Sequence, residues 1–93
     1  MDKIDLVQTR PDADIVDAIT LRCHSAVRDG GRLVEANFTA TSIQMAISHL
    51  AKAGVDTMNE PWALAVVDHG RLVDVRGNDP ELQSMVRSRA SGR

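Results

Sequence analysis

The chain reads as an α+β domain, an antiparallel sheet of two β-hairpins covered by helices. An eleven-residue stretch occurs twice, AVRDGGRLVEA at Ala26 to Ala36 and AVVDHGRLVDV at Ala65 to Val75, with seven identical positions. Each copy is an apolar run, an Asp/Gly turn and a second apolar run, the pattern of a hairpin with a tight turn. Apolar residues at helical spacing follow each copy within a few positions, so the repeating unit is a hairpin feeding a helix.

The order of elements follows from local signals. Lys3 to Gln8 alternate loosely and predict a short edge strand. Pro11 suits a first helical position, and Asp12, Asp14 and Asp17 place negative charge near the positive end of a helix dipole. A helix over about 11–23 follows, with Ile15, Ala18, Ile19, Cys23 and Ala26 as its apolar stripe. Gly30-Gly31 supplies a turn, giving a first hairpin over about 24–37. If residues 23–28 instead continued the helix, only one hairpin would remain and the fold would be winged-helix-like. Thr39 or Thr41 opens a second helix over about 41–53, Thr41 with Gln44 fitting a capping box. Ile43, Ala46, Ile47, Leu50 and Ala51 form its buried face and Gly54 ends it.

Beyond a polar link from Asp56 to Pro61, Trp62 to Val67 is apolar on both faces and predicts a central strand. His69-Gly70 turns it into Arg71 to Arg76, a second hairpin over about 62–76. Asn78, Asp79 and Pro80 open a helix over about 80–89, with Leu82, Met85 and Val86 inward. Two hairpins make a sheet of about four strands, and the helices are expected on one of its faces. The domain is expected to span 1–86, leaving 87–93, RSRASGR, as a frayed tail without an apolar anchor.

Composition narrows function by exclusion. At 93 residues and 43% hydrophobic content, one globular domain is expected, small enough for a dimer interface to add to its stability. Tyr is absent and Phe and Trp occur once each, which leaves few platforms for stacking bases. A net charge of -2 offers no basic excess for a phosphate backbone, so nucleic acid is not the expected partner. Nine Arg against two Lys suggest a GC-rich bacterial or phage genome. One Cys cannot form an internal disulfide, MDKIDLVQTR lacks the features of a signal peptide, and no apolar run reaches membrane-span length. The expected compartment is the cytoplasm, with no membrane partner.

No constellation for catalysis stands out. Cys23 and His24 are adjacent, which does not bring a base onto the thiol, and Cys23 reads as a buried inert thiol. Paired zinc-ligand spacings are missing, so no metal is expected. Asp68-His69-Gly70 is accounted for by turn chemistry, and Gly30-Gly31 lacks the Lys-Ser/Thr of a phosphate loop. The expectation is a non-enzymatic protein without a cofactor.

The segment from Thr41 to Leu82, a helix, then ALAVVDHGRLVDV, then a polar opening to another helix, resembles half of a cystathionine-β-synthase (CBS) nucleotide-sensing module. Such modules pair two copies around an adenosine nucleotide. Here Asp74 and Arg76 replace the expected Gly and Thr. The alternation of hairpins and helices is also similar in order to roadblock-type dimerisation domains.

The expected function is protein–protein interaction, as an adaptor, inhibitor or regulator and as a homodimer. Trp62, Asp68, His69 and Arg71 are the candidate partner-binding residues, and Met45, Met58 and Met85 are candidates for adaptable apolar surface, although helical spacing puts Met45 and Met85 in the core. The alternative is a winged-helix-like DNA-binding regulator with Ser42 to Lys52 as recognition helix. Gln44, His49 and Lys52 would then face the groove, and Arg71 and Arg76 the phosphates.

Overall fold

The computed structural model describes residues 20–91. They form β1 (Leu21–Asp29), β2 (Arg32–Ala40), α1 (Ile43–Lys52), β3 (Trp62–Asp68), β4 (Arg71–Gly77) and α2 (Pro80–Ser91). The strands make one antiparallel sheet in the order β2-β1-β3-β4, so the fold is α+β with two hairpins, not a winged helix. The expected leading strand at 3–8 and residues 11–19 of the expected first helix lie outside the described residues. The rest of that helix is corrected. Cys23 and Ala26 belong to β1, where they point to opposite faces, and the first hairpin spans 21–40 rather than 24–37.

Both turns have two residues with positive φ, as the twist of a tight hairpin requires. Gly30 and Gly31 stand at 60° and 93°, His69 and Gly70 at 52° and 79°. The repeat therefore marks equivalent turns. Continued one residue upstream, it superposes Ser25 on Leu64, and these two are themselves partners in the β1–β3 register. The hairpins are thus related by a pseudo-two-fold axis normal to the sheet, through that pair.

The symmetry stops at the helices. Cys23, Val27, Leu64, Val66 and Trp62 face α1, where Ala46 and Leu50 cover them. Ala26, Ala63 and Ala65 face the other way and are covered by Leu82 and Val86 of α2. The helices therefore lie on opposite faces, not on one. The cause is a β-bulge in the β3–β4 pairing: Val67 partners Leu72 while Val66 partners Asp74, leaving Val73 as the extra residue. An added residue turns the following side chains over. Val75, the equivalent of Ala36, thus joins the α2 cluster instead of the α1 face, and the chain leaves β4 on the side where α2 packs. Fully burying Leu82 and Val86 there contributes roughly 1.5–3 kcal/mol each.

Capping sets the helix limits. The N-cap of α1 is Ser42 rather than Thr39 or Thr41, its hydroxyl accepting from the Met45 amide at 3.1 Å, so Thr41 and Gln44 form no capping box. At the other end the Val55 amide reaches Leu50 O at 3.0 Å and the Gly54 amide reaches Ala51 O at 3.1 Å, with Gly54 at φ 101°, a Schellman close. Asp79 caps α2 by accepting from the Glu81 and Leu82 amides at 2.9 and 3.1 Å. That helix runs to Ser91, so residues 87–91 are not a frayed tail: Arg89 is tied to Glu35 and Ala90 packs against the α2-side core. Among the described residues no helix is long and apolar enough to cross a membrane.

Candidate functional site

Two features of the β1–β2 hairpin stand out, one on each face of the sheet. On the α1 face an open cleft of ≈ 240 Å³ lies between the hairpin and the C-terminal end of α1. Val27, Val34, Ala36 and Phe38 form its floor, and Leu50, Ala53 and Val55 its wall. Alternation puts these β2 side chains on one face, and there Val34 stays 40% exposed beside α1. The Phe38 ring stacks on the His49 imidazole, centroids 4.2 Å apart and planes at 21°, closing one end. The charged lining residues are Asp29 and Glu60. An apolar floor with an acidic rim suits an apolar group next to a cation.

On the α2 face, Glu35 joins three elements. Arg89 of α2 donates to both its oxygens, Nε to Oε1 at 2.9 Å and Nη2 to Oε2 at 3.0 Å. His24 of β1 places Nε2 2.7 Å from Glu35 Oε1 and Nδ1 2.8 Å from Asn37 Oδ1. The hydrogen bond from Arg89, then that from His24, lowers the Glu35 pKa from its ordinary value to about 2. The group clasps the end of α2 to the first hairpin.

Cys23 is 3% exposed on the opposite face from His24, and burial raises its thiol pKa. Both ring nitrogens of His24 are engaged, and neither bond involves the thiol. Among the described residues, no three His, Cys, Asp or Glu side chains come together to hold a metal ion.

The structure disperses the residues singled out for partner binding. Trp62 is only 7% exposed, its indole N–H donating to Thr57 O at 2.8 Å and its ring in the α1-side core, so it is a core residue rather than a surface anchor. Asp68, His69 and Arg71 cluster at the second turn, where Asp68 Oδ1 lies 2.9 Å from His69 Nδ1 at the surface. Met45 is 54% exposed, against the core position its spacing suggested, and Met58 is 84% exposed, while Met85 packs against the α2-side core.

The residues of the DNA-binding alternative are also split. Gln44, His49 and Lys52 lie on α1, with His49 held against Phe38. Arg71 and Arg76 lie on β4, the edge strand farthest from β2, and Arg76 is neutralised by Asp74 at 2.7 Å.

Sequence reading missed Phe38 as the His49 partner and the set His24, Glu35, Asn37 and Arg89. Part of that set was accessible. Once Gly30-Gly31 is the turn, the register aligns His24 with Asn37 and sets Glu35 diagonally next to it. No protein-family model matches the chain, and no curated protein or solved structure matches it either.

Proposed function

We propose that this protein acts without catalysis, by binding another protein, and that the α1-face cleft is where it does so. The observation that carries the reading is the cleft's chemistry: exposed Val34 and Ala36 and the Phe38 ring beneath a rim bearing Asp29 and Glu60. The partner it fits is a peptide segment presenting one large apolar side chain flanked by Lys or Arg. Burial of that side chain supplies affinity, and the acidic rim supplies orientation and on-rate. The buried thiol and the doubly bonded His24 support a non-catalytic role, and a reduced single Cys is in keeping with the cytoplasm.

Selection from a random peptide display library tests this. Enrichment of sequences with an aromatic or branched apolar residue beside a basic one is expected. Their binding is expected to weaken with salt and to be lost in Ala53→Arg, which fills the cleft wall with a cation and leaves the sheet untouched. If no sequence is enriched over the Ala53→Arg control, or if enriched sequences bind it equally, the reading fails.

A further inference from the structure

The two edges of the sheet are not alike. β4 carries a bulge and ends at Gly77, features that discourage pairing with another strand. β2 is nine residues long, pairs with β1 without a break from Leu21–Ala40 to Asp29–Arg32, and contains no Pro, Gly or bulge. Among the described residues nothing pairs with its outer side.

The direction of its backbone groups follows from the turn. In a two-residue hairpin the pair flanking the loop, Asp29 and Arg32, is mutually hydrogen-bonded, so alternate residues of β2 from Arg32 to Ala40 face β1. The Arg28 amide confirms the phase, pointing away from β2 to Pro61 O at 3.1 Å. Leu33, Glu35, Asn37 and Thr39 therefore present their N–H and C=O groups outward.

We infer that a second copy of this chain pairs with that edge, β2 against β2 antiparallel and centred on Ala36, forming one eight-stranded sheet. The strand's own sequence is self-complementary in this register. Ala36 is the midpoint of Arg32–Ala40, so all nine residues pair. Val34 of each copy then faces Phe38 of the other on the α1 face, and Glu35 faces Asn37 on the α2 face. Centring on Glu35 would oppose two carboxylates, which is destabilising, and would leave the end of the strand unpaired.

The two-fold axis is normal to the sheet, the same kind of operation that relates the two hairpins within one chain. It sets both α1 helices on one face, so the two clefts meet across the axis. The pairing goes beyond the proposed function, since it requires no peptide in the cleft.

Light scattering on the purified full chain, combined with amide hydrogen exchange, tests the inference. The wild type is expected to have the mass of two chains, with the Leu33, Glu35, Asn37 and Thr39 amides protected. Ala36→Lys and Ala36→Glu, each placing like charges on the axis, are expected to give the mass of one chain with those amides exchanging. Mixing the two variants is expected to restore the dimer as a heterodimer, which a folding defect could not do. A monomeric wild type overturns the inference, even if its outer β2 amides are protected, because the edge is then covered within one chain. A dimer indifferent to both charges overturns it as well. Peptide binding in the cleft, read with Ala53→Arg, stands or falls separately.

Discussion

At the scale of single residues, position decides what each side chain can do. Gly77 sits at φ 145° opposite Ala63, and a Cβ there would press into Trp62 O and lie 2.7 Å from the Ala63 Cα. Gly77→Ala is therefore expected to destabilise by at least the roughly 1–3 kcal/mol of backbone strain, with the steric overlap on top, read as a lower urea midpoint. Glu35 makes a different prediction, through pH. Its pKa is about 2 in the folded protein against an ordinary 4.5, with the Arg89 hydrogen bond the main cause and that from His24 next. A depressed carboxylate contributes stability that is complete above the unfolded value and is lost as pH falls from about 4.5 toward 2. Arg89→Met keeps the aliphatic stem and removes the main cause, so denaturation curves across that acid window are expected to depend less steeply on pH than in the wild type. An unchanged slope would mean that the clasp does not form in solution.

At the scale of elements, local chemistry shows through wherever one residue type meets one backbone demand. The turns are legible because Gly30-Gly31 and His69-Gly70 occupy positions that need positive φ, and β3 is legible because Trp62 to Val66 is buried on both faces. Gly54 as the end of α1 and Asp79-Pro80 as the start of α2 are readable for the same reason. Cys23 and Ala26 are misread because the two extend a helical spacing by coincidence, whereas the burial of both arises from strands on both sides of β1. The bulge, and with it the face α2 packs on, has no local signature. Val73 is an ordinary strand residue, and only pairing with Val66 and Val67 makes it the extra one. The cleft is hidden for a related reason: Phe38 and His49 lie on different elements, and their stacking depends on how far α1 overlaps β2. Capping supplies a prediction at this scale. Ser42→Ala removes the acceptor for the Met45 amide and is expected to cost about 1 kcal/mol, seen as a lower thermal midpoint, with Thr41→Ala neutral by comparison.

At the scale of the whole molecule, two small cores share one sheet, and β1 and β3 line both. Cys23, Val27, Leu64 and Val66 serve the α1 side, while Ala26, Ala63 and Ala65, from the same two strands, serve the α2 side. Neither helix can leave without exposing one face of strands that the other face needs in place, so the two layers are expected to unfold together. Trp62 makes this measurable, because it is the only Trp and lies in the α1-side core. Leu82→Ala opens a cavity on the opposite side, where Leu82 is fully buried, and is expected to cost about 2–5 kcal/mol. If the sheet couples the layers, Trp62 fluorescence and far-ultraviolet circular dichroism of Leu82→Ala report one shared midpoint, lowered equally in both. If the fluorescence midpoint stays at the wild-type value while the dichroism falls in two steps, the layers are independent. The bulge would then have separated two cores that merely share strands.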